Sequence, residues 1–243
     1  MKEILKELPK SRNYGRMFEY NGDIYHYKNA PLLECQVTHL LSLFINEVGV
    51  DSVIYDYDEE TGISYCKSMI NDGETINEVP IIDADDEYDL YHMYFDLKED
   101  INRFPNSNEL LIELRKGYLI ASLFNDIDKN VGYIKDRNKN IRLAPYFDLG
   151  SFFSNLHEYN YINYLDHDID ISEENIKVLK DCLEGVPEEI VDNIINFDIN
   201  LLIEKDNHEY SDESKEIINE LFNKSIRIAK EMILSVNKKT REI

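Results

Sequence analysis

The sequence predicts an α+β fold of two lobes, a small sheet-plus-helix lobe followed by a larger, mainly helical one. Three observations predict it. Short alternating runs fill the first third, longer runs with helical spacing fill the rest, and an acidic stretch without a clear period lies between them. The chain has 243 residues, 43% of them hydrophobic, enough for a sizeable core. The boundaries expected from these shifts are a first lobe over 1–75, an acidic connection over 76–95 and a helical lobe over 96–243.

Residues 16–28 read as a β-hairpin, because "RMFEYNG" and "DIYHYK" alternate around Asn21-Gly22, a dipeptide suited to a tight two-residue turn. "APLLECQVTHLLSLFINEVG" reads as one amphipathic helix packed on a sheet. Pro31 stands near its start, Leu33, Val37, Leu40, Leu41 and Phe44 recur at helical spacing, and Gly49 stops it. "DSVIYDYDEETGISYCKSMI" supplies two strands joined by a polar turn from Asp58 to Gly62. The stretch from Asn71, with Pro80 and many acids, reads as a connection.

Beyond it, "NSNELLIELRKGYLIASLF" starts with Asn106 or Ser107 as a cap and carries an apolar stripe through Leu110, Leu111, Leu114, Leu119 and Leu123. Asn125 to Asn130 follow as a loop at the helix end, and "VGYIKDRNKNIRLAPYFD" reads as a second hairpin turning at Asp136 to Asn140. Ser172 caps a helix stopped by Gly185, Pro187 opens another, and Ser211 caps a terminal helix reaching about Val236.

The formal net charge is -23, from 49 acidic and 26 basic residues. Such a field repels phosphate backbones and anionic lipid, so neither nucleic acid nor a membrane is an expected direct partner. A basic protein partner would be favoured, although solubility alone accounts for the charge equally well. No run of about 18 apolar residues occurs, and "MKEILKELPKSRNYG" has charges where a signal peptide needs an apolar stretch, so a cytoplasmic location is expected. Cys35, Cys66 and Cys182 lack the spacing of a zinc site or a disulfide framework and read as buried thiols. His92, His157 and His167 have acidic neighbours but no ligand spacing, and the run Asp83 to Asp89 lacks the glycine and distal glutamate of a calcium loop. All of these read as solvated surface.

The order of parts is what carries chemistry. A hairpin ends in "YHYK", a helix with an acid follows, then more strands, a helical part, a polar loop with Asn, a hairpin and "APYFD". A bilobal phosphotransferase needs a strand lysine for the nucleotide phosphates, a helix acid to orient it, an aspartate base, and Asn and Asp ligands for magnesium. Each need is electrostatic, because the transferred group carries several negative charges.

The segments "NYGRMFEYNGDIYHYK", "YCKSM", "FNDIDKNVGYI" and "RLAPYFDLGSFF" resemble the corresponding segments of HipA-like serine/threonine kinases, across roughly residues 11–155. The resemblance implies a bilobal kinase-like fold using ATP and magnesium on a protein substrate. It implies magnesium positions at Asn130 and Asp148, a phosphate-binding lysine at Lys28 with Glu34 as its partner, and part of a phosphate loop at Asn13, Tyr14, Gly15 and Arg16. Cys66 and Lys67 would lie on the strand leading to the hinge between the lobes. Each residue also has a plainer reading. Lys28 suits a solvated strand end, Glu34 the first turn of any helix, Asp148 and Asn130 turns, and Cys66 a packed interior.

One departure stands out. Aligning Asn130 and Gly132 without a gap puts Asn125 where the family has its catalytic aspartate. An amide cannot take the proton, and loss of a general base typically costs about a hundredfold to ten-thousandfold. Asp126, or less readily Asp128, stands close enough to serve if the loop shifts by one residue. Two expectations therefore remain open: an active kinase with a displaced base, or a pseudokinase that binds nucleotide or only presents an acidic surface to a protein.

Overall fold

Asn21 and Gly22 have φ of 53° and 86°, the two positive values that let a two-residue turn follow the strands' twist. In the computed structural model, which describes residues 7–8, 16–71, 73–78, 90–124, 131–149 and 173–241, this turn joins strands β2 (Arg16–Tyr20) and β3 (Asp23–Asn29). β1 (Glu7–Leu8), β4 (Tyr55–Asp58) and β5 (Ile63–Lys67) complete a sheet of order β1-β2-β3-β5-β4. Its pairs are antiparallel, and β4 is an edge strand.

Helix α1 (Leu32–Glu47) starts directly after Pro31, whose carbonyl accepts the first helical bond from Cys35 N–H at 3.0 Å. It ends in a Schellman turn. Gly49 has φ of 92°, its N–H donates to Asn46 O, and Val50 N–H donates to Ile45 O, both at 3.0 Å. The sequence suggests a helix with one face on a sheet, but α1 is buried almost all round, Glu34, Gln36, Thr38, His39 and Ser42 included. The reason is tertiary: β4 and a C-terminal helix, described below, both pack against it.

The stretch read as a connection begins with a strand that the sequence reading did not include. Thr75–Glu78 forms strand β6, which pairs antiparallel with β7 (Gly132–Lys135), itself paired with β8 (Ile141–Leu143). Four residues are too few to show a period, and the partner lies more than fifty positions away, so no local signal marked this strand. Pro80, Asp83 to Asp89, His157, His167 and Ser172 lie outside the described residues, and so does the side chain of His92.

The helical part comprises α2 (Leu90–Ile101), α3 (Ser107–Leu123), α4 (Glu173–Gly185), α5 (Glu188–Ile195), α6 (Ile199–Lys205) and α7 (Asp212–Arg241). α6 is the helix packed on α1. Ser211 caps α7 by accepting from Ser214 N–H at 3.0 Å, and Asp198 caps α6 by accepting from Asn200 N–H at 3.0 Å. One apolar cluster runs from Val37, Leu40 and Phe44 through Leu114 and Tyr118 to Phe222 and Ile226. Phe44 is its pivot, with ring centroids 4.6 Å from Phe197, 5.1 Å from Phe124 and 5.7 Å from Phe222. Three helices are tied by one carboxylate: Asp181 of α4 accepts from Lys98 of α2 at 2.5 Å, from Arg115 of α3 at 3.2 Å, and from the buried Tyr94 hydroxyl. Among the described residues no helix is long and apolar enough to cross a membrane.

Candidate active site

Lys28 is next to last in β3, and the chain must reverse within three residues to enter α1. Ala30 N–H donating to Gly62 O at 3.0 Å holds that corner. Side chains of a helix lean toward its N-terminus, so Glu34 in the first turn of α1 points back at the strand end. Lys28 Nζ donates to Glu34 Oε1 at 3.1 Å. The carboxylate is 4% exposed and the lysine side chain 34% exposed, so a fixed buried acid holds the ammonium at the edge of solvent. The acid thus complements the helix dipole and orients the lysine at once.

A second group is built across from the sheet. The Asn46 side chain donates to Ser42 O at 2.9 Å and to Ser52 O at 3.0 Å, fixing the loop between α1 and β4. That loop grips Tyr146: Tyr146 N–H donates to Asp51 O at 2.7 Å, Val53 N–H donates to Tyr146 O at 2.9 Å, and Ser52 Oγ donates to the same oxygen at 3.0 Å. Two residues on, Asp148 N–H donates to the Tyr55 hydroxyl at 3.1 Å. Asp148 takes φ of 57°, a left-handed conformation uncommon for a residue with a Cβ. Such strain costs of order 1–3 kcal/mol and persists only where the surroundings impose it, as the Tyr146 clamp and Tyr55 do here.

Cys66 links the two groups. On β5 it lies opposite His26 and Tyr55, and since side chains alternate along a strand, it shares the face of Lys28. Burial pushes its thiol up to about 12; the Tyr55 hydroxyl in hydrogen-bond contact and the charge of Lys28 pull it down, and the charge of Asp148 adds to the rise. Lys28 and Asp148 therefore both lie within electrostatic reach of one sulfur atom. Burial likewise pushes the Tyr55 phenol far above its ordinary range.

The structure thus brings together Lys28, Glu34, Cys66 and Asp148. Lys67 is not with them: it points to the opposite face, largely exposed, and pairs with Asp23 at 2.9 Å. Asn13, Tyr14, Gly15, Asn125, Asp126, Asp128 and Asn130 lie outside the described residues. Tyr55, Ser52 and Tyr146, which position Asp148, were not legible in the sequence, because their roles depend on contacts across 93 or 94 positions. A cavity of about 310 Å³ is lined by Asp51, Glu113, Arg142 and Tyr146 among others, but not by Lys28, Glu34 or Asp148.

No family model matches the chain. No curated protein matches it. Among solved structures, the Helicobacter pylori proinflammatory kinase CtkA superposes with a TM-score of 0.59 at 15% identity, over 90% of this chain and 94% of that one. HipA of Shewanella oneidensis, solved with HipB and operator DNA, gives a TM-score of 0.51 at 8% identity, over 96% of this chain and 64% of that one. The chain has a HipA-like kinase fold. In terms of class, it is a mixed α/β protein with a small antiparallel sheet and a mainly helical remainder.

Proposed function

We propose that this chain is an ATP-dependent phosphotransferase that moves a γ-phosphoryl group to a serine or threonine hydroxyl of a protein. The observation that carries the reading is the Lys28–Glu34 pair at 3.1 Å on the sheet face it shares with Cys66 and Tyr55, whose hydroxyl takes the N–H of Asp148 on a left-handed backbone. Lys28, anchored by a carboxylate that cannot escape to water, meets the nucleotide phosphates as a fixed positive charge, so little reorganisation is needed when charge builds on the transferred group. Backbone amides of Asn13 to Gly15 are assigned to the same phosphates by the sequence resemblance. Asp148 offers hard carboxylate oxygens from a backbone held by Tyr55, the donor type that magnesium selects, and Asn130 is its expected companion. Magnesium, when bound, neutralises the charge between the phosphates. Asp126 is assigned the proton of the acceptor hydroxyl, with Asp128 the less direct choice and Asn125 able only to hold that hydroxyl by a hydrogen bond.

Asn125 also favours a second reading, a pseudokinase that binds nucleotide or simply presents its acidic surface to a protein. Thermal unfolding with ATP, with and without magnesium, tests the shared part. Absence of stabilisation in both conditions overturns the nucleotide readings. If ATP stabilises the fold, transfer of labelled phosphate decides between the two. Loss of labelling in Asp126→Ala with gain in Asn125→Asp supports the displaced base, and unchanged labelling in Asp126→Ala refutes it.

A further inference from the structure

The edge strand β4 carries a second constellation, made of side chains other than Lys28, Glu34 and Asp148. His39 lies on α1, Asp56 on β4, and Asp206 and His208 in the link between α6 and α7. His39 is 5% exposed. Its Nδ1 is 2.6 Å from the Tyr55 carbonyl, which only accepts, so this nitrogen carries the proton and Nε2 of a neutral ring presents a lone pair. Yet Nε2 faces another acceptor, Asp206 Oδ1, at 3.2 Å. His208 repeats the pattern, with Nδ1 3.3 Å from Asp206 Oδ2 and Nε2 3.1 Å from Asp56 Oδ1.

Both rings are held in place. His208 stacks on Tyr57 with centroids 4.2 Å apart and lies 4.7 Å from the His39 ring. Tyr65 donates to Asp56 Oδ2 at 2.8 Å, and the Tyr210 hydroxyl donates to Asp206. Four ring nitrogens therefore face oxygen acceptors, while two neutral rings have only two protons to offer. A cation placed between the two Nε2 atoms and Asp56 would give those lone pairs a partner.

One ligand atom from each of His39, Asp56 and His208 lies within 4.8 Å of the others. A tetrahedral zinc ion about 2.0–2.1 Å from each ligand separates them by about 3.3 Å, so a contraction of about 1.5 Å or less completes the set. The outer partners are already those of metal-bound histidines: a backbone carbonyl for Nδ1 of His39 and a carboxylate for Nδ1 of His208. We propose that His39, Asp56 and His208 bind one divalent transition-metal ion of the zinc type. Two imidazoles and a carboxylate suit zinc rather than magnesium, which selects oxygen donors. The ion would pin α1 and β4 to the chain entering α7, with water or Asp206 Oδ1 in the fourth position.

The test uses tag-free full-length protein stripped with a chelator. Calorimetric titration with zinc should give one site. Zinc at a hundredfold excess over Kd should raise Tm by roughly 5–10 °C, while the same magnesium leaves it unchanged. Cobalt should produce the strong visible absorption of a four-coordinate site. These responses should vanish in His208→Ala and in Asp56→Asn, whose side chain is 44% exposed and so tolerates the change without unfolding. Asp206→Asn should weaken zinc about 10–100-fold, as loss of an outer partner does. No zinc stabilisation, or zinc binding undiminished in Asp56→Asn and His208→Ala, overturns the proposal and leaves a network held by protons alone.

Discussion

Two constellations of charge and phenol, one at the sheet and one among the helices, use the same residue types to different ends. In the first, Glu34 is buried and holds a half-exposed Lys28, and Asp148 stands nearby on a left-handed backbone, its N–H on Tyr55. In the second, Asp181 receives Lys98, Arg115 and Tyr94 from two other helices. Burial alone would raise the Asp181 carboxyl, but its three donors hold it below the ordinary carboxylate range. A displaced titration therefore does not by itself mark chemistry. The difference lies in what is spent: the helical cluster has its acid satisfied from three sides, whereas the sheet cluster keeps a strained backbone and a lysine at the solvent edge.

The largest expected effect is at Asp148. Asp148→Asn should lower phosphoryl transfer about a thousandfold, as loss of a charge-stabilising group does, with the fold intact by circular dichroism. Unchanged transfer would remove Asp148 from the site and dissolve the contrast. Lys28→Met should abolish the thermal shift given by ATP and cut kcat/KM about a hundredfold, while costing roughly 1–2 kcal/mol because it takes a partner from a buried acid. A loss of stability without any change in ATP response would make the pair structural after all.

For the helical cluster the expectation is reversed. Asp181→Ala removes the acceptor shared by two cations and a buried phenol, so chemical denaturation should show a loss of about 2–3 kcal/mol, with the response to ATP preserved. Its pH signature has a definite sign. A carboxyl held low in the folded state adds stability that is present above the unfolded value of about 3.9 and is lost as pH falls through the folded value. Stability of the native protein should therefore drop below about pH 4, and less steeply in Asp181→Asn. The smallest effect concerns the thiols. Burial pushes Cys35 up to about 11 and Cys66 and Cys182 up to about 12, so alkylation at pH 8 should leave all three unmodified until denaturant is added. Rapid labelling of Cys66 that ATP blocks would show the sheet cluster open to solvent.

What the amino-acid sequence determined by itself is the local backbone and the order of parts. Asn21-Gly22 makes a hairpin because those residues accept positive φ, Gly49 ends a helix for the same reason, and the stripe of α3 shows in its spacing. The kinase-like order was legible too, since it needs only motifs in sequence and no contacts. The tertiary structure alone decided the rest. β6 exists because β7 pairs with it, and α1 is buried almost all round because β4 and α6 both pack on it. Asp148 is strained because the loop after α1 grips Tyr146 and Tyr55 holds its N–H, and His39 meets His208 because the link between α6 and α7 lies against Asp56 and Tyr57 of β4. These features depend on pairs more than ninety residues apart in most cases, and a backbone preference reaches only a few neighbours, so no local pattern could carry them.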